Sequence, residues 1–171
     1  MAGATPLRVL WRGLAAGAVG TLAMDLLWFR RHKRSGGEAG FVDWELSRGL
    51  ASWEDAGPPA QIGKRLLEAL FQREVAGARA GLVSNVMHWS YGLLWAGQYG
   101  IVASSLGSRP GPRSGLAFGA IVWASDYVVL PLADVYEPIW KYDAKTLADD
   151  LSAHLLYGVA TATTFRLLSP P

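Results

Sequence analysis

Four long, apolar, nearly uncharged blocks alternate with polar segments along the chain, at 13–29, 81–107, 114–133 and 151–169. A helix rising 1.5 Å per residue needs about 20 residues to cross the hydrocarbon core of a bilayer, with a working range of roughly 17 to 25. Block 13–29 holds one charge, Asp25, and is bracketed by Arg12 and the cluster Arg30, Arg31, His32, Lys33, Arg34. Block 81–107 has no formal charge with His88 neutral and carries Trp89, Tyr91, Trp95 and Tyr99. Block 114–133 is interrupted by Asp126 and ends near Pro131, a residue type that kinks or terminates helices. Block 151–169 includes Arg166 close to its end, where a long side chain can snorkel to the headgroups. The pattern predicts an all-α, polytopic membrane protein of four transmembrane helices, forming a single domain over residues 1–171. A soluble helical protein would have to bury four such blocks on all sides, which a chain of this length can hardly do.

The polar segment 30–80 is rich in charge and holds Trp44, Trp53 and the pair Pro58-Pro59. Within it, residues 61–75 place Ile62, Leu66, Leu67, Leu70, Phe71 and Val75 on one helical face and Lys64, Arg65, Glu68 and Arg73 on the other. Pro59 suits a helix start. An amphipathic helix beside two spans is expected to lie in the membrane interface, with docking of a partner as the alternative. Segment 107–113 is a short Pro/Gly-rich link, and 134–150 is acidic with aromatic anchors Tyr136, Trp140 and Tyr142. A basic cluster follows the first block and no small-x-small site lies beyond it, so this helix reads as retained rather than as a cleaved signal peptide.

Composition agrees with a bilayer as the chain's principal partner. Only 18% of residues are charged, against about 25% in soluble proteins, and there are eight Trp. The net charge of +2 raises nucleic acid as a partner, but the basic residues form no aromatic-interleaved stripe, so none is expected. The absence of cysteine excludes disulfides, thiolate metal sites and thiol catalysis. Arg8, Arg12, Arg109, Arg113 and Arg166 fall on the side of the termini, and the other eleven of the 16 basic residues fall in the two larger loops. The positive-inside rule then puts those loops in the cytoplasm and both termini outside, in a multi-pass arrangement suited to a bacterial plasma membrane. A homo-oligomer or a membrane-protein partner is left open.

The blocks resemble one another. Gly13-Leu14-Ala15-Ala16-Gly17-Ala18 recurs as Gly115-Leu116-Ala117-Phe118-Gly119-Ala120, each followed by an Asp, and H-x-x-Y-G occurs at His88 to Gly92 and at His154 to Gly158. The expected architecture is two similar helical hairpins related by an axis along the membrane normal. The small-residue pairs serve close helix packing. Asp25 falls late in the first span and Asp126 past the middle of the third, while His88 and His154 fall early in the second and fourth, so antiparallel neighbours bring all four toward the face bearing the larger loops. An ionisable residue inside a span costs several kcal/mol unless paired or hydrated, which makes Asp25, His88, Asp126 and His154 the candidate polar core. Asn85, Tyr91 and Tyr157 are placed to join it. The plainest reading is interhelical hydrogen bonding that holds the hairpins together. A proton- or ion-handling cluster is the alternative, since His and a buried Asp can titrate near neutrality. A metal ion held by the same four residues is a further one. Paired-His haem ligation lacks any supporting signature. No H-E-x-x-H, G-x-S-x-G or phosphate loop is present, so no catalytic residue and no cofactor is predicted.

From His88 to Leu168 the layout resembles the YagU-type family of small bacterial inner-membrane proteins. The shared features are His88 opening an aromatic span, Tyr99 near its end, Gly115 and Gly119 opening the next, Pro131 and Pro138 at its exit, and His154 with Tyr157 in the last. The paired H-x-x-Y-G motifs and the long charged loop depart from that layout. Members of that family are linked to acid tolerance, so the resemblance implies a link to acid or envelope stress and carries over no catalytic residue.

Overall fold

The computed structural model describes residues 5–107 and 110–169, so Arg109 and part of the 107–113 link lie outside the described residues. The described chain is helical and contains no strand. Helix α1, Pro6–Arg34, starts on Thr5, whose hydroxyl accepts from the Arg8 amide, with Pro6 in the first turn, where its missing N–H is not needed. It ends in the basic turn Arg31, His32, Lys33, Arg34, placed to complement the C-terminal end of the helix dipole. Its 29 residues make it about 44 Å long, more than the roughly 30 Å hydrocarbon core needs. Two short helices follow, α2 at Phe41–Glu45 and α3 at Pro58–Phe71. Then come α4, Ala80–Ser105, α5, Pro112–Leu132, and α6, Ala144–Leu168.

Helix α1 runs past the block 13–29 at both ends, from the Thr5 cap to the basic cluster, and two further boundaries differ from the sequence expectation for identifiable reasons. Helix α6 begins at Ala144 rather than near 151, because Asp143 caps it by accepting from the Thr146 amide and hydroxyl. Helix α3 stops at Phe71 rather than 75, with Gln72 in the left-handed region at φ 52° and Glu68 accepting from the Val75 amide. Pro131 does sit at the exit of α5, which ends one residue later.

Helix α1 packs against both α4 and α6, α5 packs against α6, and α3 lies on α4. Early residues of α1 meet late residues of α4: a Cβ on Gly13 would stand 2.8 Å from the Ala96 carbonyl oxygen. Late residues meet early ones, since Asp25 contacts His88, so the pair is antiparallel. The same holds for α5 and α6, where a Cβ on Gly115 would stand 2.6 Å from the Gly158 carbonyl oxygen. The two glycine motifs are not packed in equivalent registers. Gly17 faces Gly92 and Leu93, a turn beyond His88, whereas Gly119 faces His154 and Leu155 themselves. The second contact is thus shifted by about 6 Å, one helical turn, toward the end where the larger loops emerge.

Two apolar clusters fill the interior. Val9, Ala16, Ala103 and Phe165 close the end near the termini, and Met24, Phe118, Val122, Ala153 and Tyr157 fill the middle. The outward faces of the long helices are also apolar, with Leu22 and Leu26 on α1, Leu94 and Ile101 on α4, Ile121 and Val128 on α5, and Leu167 on α6 all exposed. By length and composition, α1 and α5 are each able to cross a membrane. Helix α4 carries no Asp, Glu, Lys or Arg, but its Trp, Tyr, Asn, Gln and Ser lower its mean hydropathy.

The polar segments pack onto the loop end of the bundle. Ala60 and Gly63 form the buried side of α3, with Gly63 against Val83 and Met87, so small residues rather than leucines make that contact. Leu66, Leu70 and Phe71 remain exposed. Arg65 donates to the carbonyls of Ala133 and Asp134, tying α3 to the end of α5. Of the expected anchors, Tyr136 and Tyr142 turn inward onto Tyr127, at ring distances of 5.4 and 5.5 Å, and Trp140 stays exposed.

Candidate functional site

Each candidate Asp lies beside a His of the neighbouring helix. In α1 and α4, His88 Nε2 is 2.8 Å from Asp25 Oδ1. In α5 and α6, His154 Nε2 is 3.2 Å from Asp126 Oδ2. The contacts arise because a helical side chain leans toward its own N-terminus, so His88 and His154 project toward the loop end, where the late Asp residues of their neighbours sit.

The two pairs have different surroundings. His154 stands between two carboxylates, with Nδ1 3.4 Å from Asp150 Oδ1 and 3.0 Å from the Asp150 carbonyl oxygen. Both ring nitrogens therefore face oxygen acceptors, and an imidazolium alone donates from both. Tyr91 crosses from α4 to donate to Asp126 Oδ1 at 2.5 Å, and Tyr127 donates to Asp150 Oδ2 at 3.1 Å. In the other pair, Asp25 Oδ2 is buried without a hydrogen-bond partner among the described residues. Tyr157, although it occupies the same motif position as Tyr91, donates to the Gly92 carbonyl at 2.5 Å instead of to a carboxylate. Asn85 binds the Glu45 carbonyl at 2.8 Å.

A cavity of about 330 Å³ opens between the long helices. Its polar wall is made by His88, His154, Asp126, Asp150, Tyr91 and Tyr136, and Met24, Met87, Val122 and Leu130 supply apolar wall. Pro58, Pro59 and Ile62 of α3 border it at the loop end. Toward the termini the apolar cluster of Val9, Ala16, Ala103 and Phe165 lies beyond it. Asp25 does not line this space. It borders a separate cavity of about 280 Å³ with Glu45 and Asn85, and His88 is a wall of both. Among the described residues, no Lys or Arg lines either cavity. The walls of the two cavities together hold four carboxyl groups, Asp25, Glu45, Asp126 and Asp150, against the two imidazoles of His88 and His154. Among the described residues, no three His or carboxylate side chains are placed to hold one metal ion.

Outside the long blocks, Glu45 is held above its ordinary carboxylate pKa, chiefly by burial and further by the Asp25 carboxylate nearby, against the lowering effect of the Trp89 indole that donates to it at 2.7 Å. Burial, with Asp150 next, raises the Tyr136 phenol. Sequence reasoning missed Asp150 and Glu45. Asp150 does have a signal, since it precedes His154 by four residues and so shares its helix face. Glu45 has none, because its position depends on how α2 docks.

Fold and site together define an all-helical protein with two helices able to cross a membrane and a buried carboxylate–imidazole cluster bordering a cavity. Comparison with protein-family models, curated proteins and solved structures returns no match.

Proposed function

We propose that the chain is a multi-pass bacterial plasma-membrane protein of four spans, α1, α4, α5 and α6, which takes up protons or small cations into the central cavity from the face bearing the larger loops. The exposed apolar faces of all four helices support the spans, because that surface would be costly in water and is matched by lipid. The similar hairpins, the cytoplasmic loops and the outward termini belong to the same proposal, as does α3 with Leu66, Leu70 and Phe71 turned toward the interface.

One observation carries the functional part: His154 is held between Asp126 and Asp150 in the wall of a cavity that no Lys or Arg among the described residues lines. Two carboxylates around one imidazole in a low-dielectric setting favour binding of a positive charge. The apolar cluster near the termini closes the far end of the path in the present conformation, so transfer to the other side requires that end to open. The YagU-type resemblance, with its link to acid tolerance, fits a protein that handles protons. Purified protein reconstituted in vesicles with an entrapped pH dye is expected to show uptake that Asp126→Asn and His154→Ala abolish. Uptake equal in wild type and both variants would remove the reading.

A second reading has its own support. Each Asp–His contact joins two adjacent helices, as interhelical glue would. On that reading the wild type shows no uptake, and the same variants lower stability alone. Metal binding, by Asp25, His88, Asp126 and His154 together, has the least geometric support, since Asp25 and Asp126 border different cavities.

A further inference from the structure

The second cavity is built differently from the first. Its lining includes Asp25, Glu45, Asn85, Trp28 and Trp44, with Ser47 and Ser84. Asp25 is 3% exposed, and while Oδ1 meets His88, Oδ2 has no donor among the described residues. A buried charged acceptor left unmatched is costly, so a donor supplied from outside gains from that vacancy. Glu45 is fixed from two sides, by the Trp89 indole on Oε1 at 2.7 Å and by the Asn85 amide on its carbonyl at 2.8 Å. Two carboxyl groups thus line one cavity with a single imidazole, so acidic groups outnumber basic ones in its described wall.

The remaining wall selects the kind of cation. The described residues place no three His or carboxylate groups for a metal ion. Trp28 and Trp44 are part of this wall, and an indole attracts an organic cation, as the Arg31 guanidinium 4.7 Å over the Trp28 ring illustrates. Asn85, Ser47 and Ser84 add neutral acceptors, of use to a cation with N–H donors and of none to a quaternary ammonium. We propose that this cavity binds a primary ammonium group, with Asp25 and Glu45 accepting its hydrogen bonds and Trp28 and Trp44 covering its apolar attachment. Such a group can arrive on a free alkylamine or on the headgroup of an ethanolamine phospholipid. The site stands whether or not the central cavity takes up protons.

The test uses the full chain in neutral detergent. Propylammonium chloride is titrated at fixed ionic strength and neutral pH, with binding read by tryptophan fluorescence and by calorimetry, and tetramethylammonium chloride is the control. The expected result is saturable propylammonium binding, at least about tenfold tighter than tetramethylammonium. Glu45→Gln is expected to weaken it by roughly ten- to a hundredfold, the range for losing one charge-assisted hydrogen bond. Glu45 lies on a short outer helix, so this variant reports binding without unmaking the core, and thermal melting of the variant confirms that the fold is kept. Mass spectrometry of protein extracted from membranes containing ethanolamine and glycerol phospholipids separates the sources. A retained ethanolamine lipid that propylammonium displaces identifies the headgroup, and amine binding with no such lipid identifies the free amine; both support the site. Absence of saturation, equal affinity for tetramethylammonium, or unchanged affinity in Glu45→Gln would overturn it. Loss of binding in Asp126→Asn with Glu45→Gln silent would place the cation in the central cavity and also overturn it.

Discussion

Tyr91 on α4 donates a 2.5 Å hydrogen bond to Asp126 on α5, across a gap that these two helices otherwise bridge with large side chains such as Trp95 and Tyr99 on Phe118. Tyr91 is 42% exposed and is one of the residues lining the cavity, so its bond to the carboxylate is worth less than a fully buried one. Tyr91→Phe keeps the ring and removes the donor. It is expected to lower stability by about 1 kcal/mol, read by unfolding in mixed detergent micelles. Unchanged stability would mean that the contact does not hold α4 to α5.

Close helix contacts set a second expectation. A Cβ on Gly119 would collide with the backbone of His154 and Leu155, which has nowhere to go without separating α5 from α6. Gly119→Ala should therefore destabilise by about 1–3 kcal/mol, as overpacking does. Gly97→Ala meets only the flexible ends of Leu10 at 3.1 Å and Leu14 at 3.5 Å. Its effect should stay below about 1 kcal/mol. Equal losses in the two variants, measured by the same unfolding assay, would contradict the backbone contact.

The carboxyl of Glu45 gives stability a pH dependence of definite sign. Its pKa in the folded chain is raised above the ordinary 4.5, by burial first. The folded state therefore keeps a proton that the unfolded state has released. This contribution is fully present below pH 4.5 and is lost as pH rises through the folded value. Asp143 and Asp149 act the other way, because hydrogen bonds from Thr146 and Lys145 respectively lower them from 3.8, so their contribution is lost as pH falls through values below that. Glu45→Gln should flatten the loss of stability that the wild type shows as pH rises from 4.5. A wild-type curve already flat in that window would contradict the assignment.

Residue chemistry along the chain makes some of this arrangement legible and hides the rest. The long helices are readable because charge-free blocks such as 81–107 have few other ways to satisfy their backbone. The depths of Asp25, His88, Asp126 and His154 follow from the fixed rise of a helix and from antiparallel neighbours. The first turns of α6 are hidden because Ala144 to Asp150 is polar, and the helix there begins on a single side chain, Asp143. The short helix α2 is hidden because five residues make no periodic signal, and Glu45 reaches the core only through its contacts with Asn85 and Trp89. The matching glycine motifs of α1 and α5 imply equal packing, yet the registers differ by a turn, because a small-residue motif permits close approach without fixing which residues of the partner it meets.

The proposed spans and orientation can be tested together, because the chain has no cysteine and any introduced one reports alone. Thr5→Cys, Pro110→Cys and Ser169→Cys lie at one end of the long helices, while Asp55→Cys and Glu137→Cys lie in the segments at the other end. With four spans and outward termini, a membrane-impermeant maleimide added to intact cells should label the first three and leave the last two unlabelled until the membrane is opened. If α1 and α5 alone cross, α4 does not return the chain to its starting side, and the label at 110 falls on the same side as the label at 55. Labelling of Asp55→Cys and Glu137→Cys but not of the other three would keep four spans and reverse the orientation. That reversal would place the Asp/His cavity on the outer face, and the uptake experiment would then have to acidify the opposite side of the vesicle.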